Sequence, residues 1–202
     1  MLVLSCEPVR GKAIQRAVEA LRSGGVIVYP TDTVYGMGCD LLNPQAIDRV
    51  YFLKRMHRRK PLSLICADLT QISEYAQLSN TAYRLMKRLL PGPYTIILQA
   101  TRLVPRVMMT NQRTVGIRVP DNDLCLSLVR ELGNPLVNTS ASGSEDEVVS
   151  DPEAIQEAYP QIDLMLDSGL LRSEPSTVLD LTKDPPTVLR EGKGPVEEFM
   201  SI

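Results

Sequence analysis

Tryptophan is absent from the 202 residues and phenylalanine occurs only twice, so Leu, Val, Ile and Met have to fill the core. Histidine occurs once, at His57, among charged neighbours. No Ser-His-Asp set can be built from it, and it reads as a surface residue, not a catalytic base. HExxH, Walker and strand-linked GxGxxG sequences are all missing, which excludes the zincin, P-loop and Rossmann readings. Cys6, Cys39, Cys66 and Cys125 are too far apart for a CxxC pair and fit no zinc spacing. They read as buried thiols in a reducing cytoplasm. No apolar run approaches the ~18 residues that a membrane span needs. Met1 to Cys6 lacks the basic and apolar regions of a leader peptide and reads as an edge strand. Charge of one sign is also lacking, with 22 Lys and Arg against 24 Asp and Glu, so affinity for nucleic acid would have to come from a local patch.

The length suits one domain over 1–202 with a core at about 8–194. Ile14, Ala17, Val18 and Leu21 recur at helical spacing, and Ser23-Gly24-Gly25 ends that helix. Val26 to Tyr29 is a short apolar strand stopped by Pro30. A loop over 31–38 leads to a helix opened by Asn43-Pro44, a capping residue followed by a proline at the first helical position. Strands are expected over 61–66, 94–98, 114–119, 136–139, 177–181 and 187–190, with helices over 69–76, 80–89, about 125–132 and from 151 onward. The pieces at 94–98 and 114–119 have no helix between them. The fold class is therefore α/β with a mixed parallel and antiparallel sheet flanked by helices.

Polar residues gather where strands end: Pro30-Thr31-Asp32-Thr33, Thr114 to Arg118, Thr139 to Gly143, and Ser176-Thr177 with Arg190. Ligands of open α/β folds bind at such ends, although Ser and Thr there often only cap helices or close turns. Basic residues crowd into Lys54-Arg55-Met56-His57-Arg58-Arg59-Lys60 at a helix C-terminus. A cationic helix end of this kind matches the helix dipole, and its Arg forks and Lys charges also suit phosphate oxygens.

Together these segments resemble, in order, the motifs of the YrdC-like, threonylcarbamoyl-AMP synthase family. Pro30 to Gly38 resembles PT(E/D)TVYGLG, Lys54 to Leu62 resembles KxRPxxxPL, and Pro91 to Thr95 resembles PGPxT. Thr114 to Pro120 resembles TVAVRxP, Thr139 to Gly143 resembles (T/P)SANxSG, Ser176 to Asp180 resembles STVVD, and Arg190-Glu191-Gly192 resembles RPG. Arg190-Glu191-Gly192 and Pro61 to Cys66 are more similar to the YciO branch. The resemblance implies a twisted mixed sheet around a large basic cavity. It also implies a nucleotidyltransferase that turns L-threonine, bicarbonate and ATP, with Mg²⁺, into threonylcarbamoyl-AMP and pyrophosphate for threonylcarbamoylation of tRNA at adenosine 37. By position, Thr33, Arg118, Ser140 and Ser176 would contact threonine. Lys54, Arg55, Arg58, Thr114, Ser142, Ser150 and Arg190 would contact the nucleotide, with Lys54 and Arg118 as the catalytic pair.

The chain departs from the family pattern at four places. Met56 stands where the pattern has arginine, with Arg55 or Arg58 as substitutes out of register; Ser142 replaces the asparagine of SxN; Ile65 replaces a histidine; and Glu191 replaces a proline. These departures open an alternative expectation: a module that binds double-stranded RNA, tRNA or nucleotide without efficient synthesis.

Overall fold

Amphipathic spacing builds the first helix, α1 (Gly11–Arg22), whose buried face is Ala13, Ala17, Val18 and Leu21. The computed structural model describes residues 1–6, 11–58, 60–141, 151–171 and 174–200. Asn43 caps α2 (Pro44–Leu53) by accepting from the Ala46 amide at 3.0 Å, with Pro44 at the first helical position. Side chains cap α3 (Leu69–Tyr75), α4 (Asn80–Leu89), α5 (Asp123–Leu132) and α6 (Pro152–Ala158) in the same way, from Asp68, Ser79, Asn122 and Asp151. A short α7 (Glu197–Met200) closes the described chain.

The strands are β1 (Leu2–Ser5), β2 (Ile27–Tyr29), β3 (Gly36–Asp40), β4 (Ser63–Ile65), β5 (Ala76–Gln77) and β6 (Tyr94–Ala100), followed by β7 (Thr114–Arg118), β8 (Leu136–Ser140), β9 (Leu164–Asp167), β10 (Thr177–Asp180) and β11 (Thr187–Arg190). Among the described residues they form one sheet in the order β1-β9-β2-β3-β8-β4-β7-β6-β10-β11, with β5 beside β6. The pairs β1–β9, β2–β9, β4–β7 and β6–β10 are parallel, and the others are antiparallel. The mixed sheet expected from 94–98 and 114–119 is present, and the N-terminal strand lies at the sheet edge.

Three strands depart from the expected elements, among them the short β5, which begins at the last residue of the helix expected over 69–76. The loop read over 31–38 runs into β3, and β9 was not anticipated. The sequence of β3, Gly-Met-Gly-Cys-Asp, shows no alternation because its glycines answer to neighbours across the sheet. A Cβ on Gly36 would lie 2.6 Å from Asn138 Oδ1, and one on Gly38 would lie 1.9 Å from the Val137 carbonyl oxygen.

One face of the sheet buries Val28, Met37, Leu64, Ile96, Val115 and Ile117 in the larger core. On the other face, α1 and α5 cover only part of the sheet, packing on Ile27, Tyr29, Ile65 and Leu164. Beside that covered part, register aligns Gly38, Asn138, Ser63, Gly116 and Ile97 in one row across β3, β8, β4, β7 and β6. The small residues of this row, Gly38, Ser63 and Gly116, leave room above the sheet.

Candidate functional site

A cavity of about 820 Å³ occupies that room. Its floor is hydrogen-bonded. Tyr29 donates its hydroxyl to Asn138 Oδ1 at 2.8 Å, and Asn138 Nδ2 donates to Ser63 Oγ at 3.0 Å. Asn138 is buried, lines the cavity and was not singled out in the sequence, where it precedes the Thr139 to Gly143 segment.

The β7 strand carries Arg118 into this space. Arg118 is 5% exposed, and its Nη2 donates to Asp32 Oδ1 and to Thr33 Oγ1, both at 2.8 Å. Asp32 is held in turn by the Asp121 amide at 3.1 Å and by Lys193 Nζ, which donates to the Asp32 carbonyl. Thr31 shapes the same loop: its hydroxyl accepts from the Thr33 amide at 3.1 Å and donates to the Val34 carbonyl at 2.6 Å. Asp32 is thus the counter-ion of Arg118, a role not assigned from the sequence. Arg118 Nε is buried and has no hydrogen-bond partner among the described residues. A buried guanidinium nitrogen left this way costs free energy that a ligand acceptor would recover.

Further cations line the same space. Lys54 caps the end of α2, and its Nζ lies 3.0 Å from the Tyr159 hydroxyl and 5.3 Å from that ring's centroid. Burial, and secondarily the charge of Lys60, pushes Lys54 down to about 8. Lys54 is therefore half-buried, not an exposed helix-end residue. Tyr159, which ends α6, belongs to no motif and gave no sign in the sequence; burial raises its phenol, opposed by the nearby charge of Arg55. Arg190 donates from Nη2 to the Ser176 carbonyl at 2.8 Å, and burial followed by Arg118 lowers its pKa. The Ser176 and Thr95 hydroxyls meet at 2.7 Å.

Lys54, Arg118 and Arg190 therefore share one hollow with Thr33, Arg55, Ser140 and Ser176. Two expected nucleotide contacts do not line it. The Thr114 hydroxyl is 2.7 Å from that of Thr110, and Arg58 turns outward to Asp48 at 3.0 Å. Ser142 and Ser150 lie outside the described residues. His57 is exposed, as read from the sequence, but it stands at the cavity edge. Of the remaining departures, Met56 lines the cavity, with its Sδ 4.0 Å from the Thr139 hydroxyl. Ile65 is fully buried on the covered half of the sheet, so it cannot reach a ligand. Glu191 is exposed beside Arg190.

A family model described as telomere recombination, and named for Sua5, YciO and YrdC, matches residues 19–192. The chain belongs to this family. Among Sua5/YciO/YrdC proteins it is 42% identical over 193 residues to YciO of Escherichia coli, covering 94% of this chain and 93% of that one. It is 33% identical over 197 residues to a putative threonylcarbamoyl-AMP synthase of Methanocaldococcus jannaschii, covering 96% and 92%. Its fold matches the crystal structure of E. coli YciO with a TM-score of 0.91 at 38% identity, covering 98% of both chains. It matches Sua5 of Pyrococcus abyssi complexed with L-threonine at 0.91 and 32% identity, covering 98% of this chain and 59% of that one.

The cavity is defined by charge. Among the described residues no lining side chain is a carboxylate, whereas Lys54, Arg55, Lys60, Arg118 and Arg190 all line it. Burial first, and the neighbouring charges of Lys60 and Arg118 second, push Lys54 and Arg190 below their usual pKa, so holding these cations together here carries a cost. A polyanion would relieve that cost. All four cysteines are buried and free, as expected from their spacing. No helix among the described residues is long and apolar enough to cross a membrane.

Proposed function

We propose that this chain binds a nucleoside triphosphate and L-threonine in the one cavity and joins them through bicarbonate as a threonylcarbamoyl-AMP synthase. The observation that carries the reading is the unsatisfied, buried Arg118 Nε in a cavity also lined by Lys54, Arg55, Lys60 and Arg190. An Arg fork suits a carboxylate, and clustered Lys and Arg suit phosphates. The Sua5 structure complexed with L-threonine supports threonine as one ligand, and the name threonylcarbamoyl-AMP synthase of a relative is consistent with an adenine nucleotide as the other.

In this scheme Arg118 grips the amino-acid carboxylate while the Thr33, Ser140 and Ser176 hydroxyls face the rest of the molecule. The α-amino group combines with bicarbonate, losing water, to give a carbamate. A carbamate oxygen attacks the α-phosphorus, the bond to the bridging oxygen of the β-phosphate breaks, and pyrophosphate leaves. No protein nucleophile is required. Lys54 and Arg190 stabilise the charge on the phosphates, and holding two reactants together removes much of the entropic barrier. The described residues contain no cluster of three metal-ligating side chains. Mg²⁺ would accordingly enter as the nucleotide's own complex. The product fits transfer of the threonylcarbamoyl group to tRNA by other proteins.

The test is direct. Protein incubated with L-threonine, bicarbonate, ATP and Mg²⁺ should release pyrophosphate and form an adduct detectable by mass spectrometry. Omission of threonine or bicarbonate should abolish both. No product above the blank at high protein concentration would refute synthesis, and an ATP titration on the same sample would show whether binding survives.

A further inference from the structure

The end of α2 places an arginine where its hydrogen-bond pattern calls for a left-handed residue. The Arg55 amide donates to the Phe52 carbonyl and the Met56 amide to the Tyr51 carbonyl, both at 3.0 Å. These are the two bonds of a Schellman ending, whose first residue past the cap adopts the left-handed conformation and is usually glycine. Helix α1 ends with the same pair, Gly24 to Leu21 at 2.9 Å and Gly25 to Ala20 at 2.8 Å, and places Gly24 at φ +82. Helix α2 instead places Arg55 at φ +49. An L-residue with a Cβ is disfavoured there, and glycine would relieve the cost. Met56, the next residue, packs against the core cluster that includes Tyr51, the apolar contact that often accompanies this ending. The fold thus explains Met56 but not the arginine.

The cavity supplies the missing reason. Arg55 lines it next to Lys54, and its charge reaches the Tyr159 phenol that holds Lys54. Strain retained at a ligand-facing residue is a mark of function when something on the other side of the balance rewards it. Arg113, also at positive φ and exposed like Arg55, does not line that space, so strain alone does not select Arg55; strain together with its place in the cationic lining does. Arg58, three residues on, is engaged outward with Asp48.

We propose that Arg55 is an anion-holding residue of this cavity, kept at a glycine position so that its guanidinium meets a phosphate group of the nucleotide beside Lys54. This rests on the nucleotide reading above. The left-handed backbone turns the chain so that consecutive residues 54 and 55 serve one ligand, which a continued helix would spread about 100° apart.

The experiment compares Arg55→Gly with Arg58→Ala, reading thermal unfolding and ATP affinity by calorimetry. Arg55→Gly should raise the midpoint by about 2–4 °C, the response expected when strain near 1 kcal/mol is removed from a chain this long, yet weaken ATP binding at least about tenfold, the loss expected for one charged hydrogen bond. Arg58→Ala should leave ATP affinity within about twofold. Arg55→Asn, which tolerates the left-handed conformation, replaces the glycine variant if that one fails to fold, and should show the same loss. Unchanged ATP affinity in the folded variant overturns the proposal, as does an equal loss in Arg58→Ala, which would mean only a diffuse positive field. No ATP binding by the wild-type chain would instead sink the nucleotide reading itself, and the proposal with it.

Discussion

Asp32→Asn isolates the buried ion pair that holds Arg118 in the cavity. Asp32 and Arg118 meet at 2.8 Å with both side chains 6% exposed. Asparagine keeps the shape and one acceptor but removes the charge. It also turns an NH₂ group toward the Asp121 amide, which now donates to Asp32 Oδ2 at 3.1 Å. The Arg118 guanidinium then stays buried without its counter-ion, a state that costs about 3–5 kcal/mol. For a chain of this size each kcal/mol lowers the unfolding midpoint by about 2–4 °C, so the fall should be about 6–20 °C. Urea unfolding followed by circular dichroism gives the free energy directly. The matched variant is Asp32→Asn with Arg118→Met, which removes both charges. It should recover at least about 1 kcal/mol relative to the sum of the two single losses, because buried partners couple. A loss below about 1 kcal/mol in Asp32→Asn, or strict additivity in the double variant, would refute the reasoning and leave Arg118 stabilised by something other than Asp32.

Further outcomes follow from the cationic lining and from one helix end. Lys54 is pushed down to about 8, and its ammonium form is the one that binds phosphate. ATP affinity should therefore hold below that pH and decline as pH rises through about 8 or somewhat higher, since a bound anion raises the value; Lys54→Met should be weak throughout and lose this dependence in calorimetric titrations. Tyr159→Phe keeps the ring over Lys54 but removes the hydroxyl, so ATP affinity should fall by about fivefold, the worth of one hydrogen bond, with little change in the thermal midpoint. Gly133 sits at φ +89 past α5 with nothing within 4 Å of an added Cβ. Gly133→Ala should therefore cost about 1 kcal/mol by conformation alone, read by urea unfolding.

The elements that the sequence showed are those whose cause is local. Asn43-Pro44 opens α2 because capping is settled within four residues. Arg118 was legible because β7 carries it in a recognisable run. The residues that went unseen owe their roles to distant partners. The glycines of β3 serve Asn138 and the Val137 carbonyl, Asp32 serves a guanidinium 86 residues away, and Tyr159 serves an amine 105 residues away. Arg58 and Thr114 fell on the other side of the same divide. Their spacing suited a nucleotide, but Asp48 and Thr110 hold them elsewhere.

The row across the sheet floor makes the size of the site adjustable at some points and not at others. A side chain on Gly38 would strike the backbone carbonyl of Val137, so growth there deforms the strand. On Gly116 the nearest atoms to a new Cβ are side-chain carbons of Thr95, Ile97 and Ser63 at 3.3–3.5 Å, which can give way by a few tenths of an ångström. Substrate breadth could therefore be narrowed one methyl at a time from position 116 while the framework stays as it is. A protein engineer wishing to exclude larger ligands would begin at that glycine.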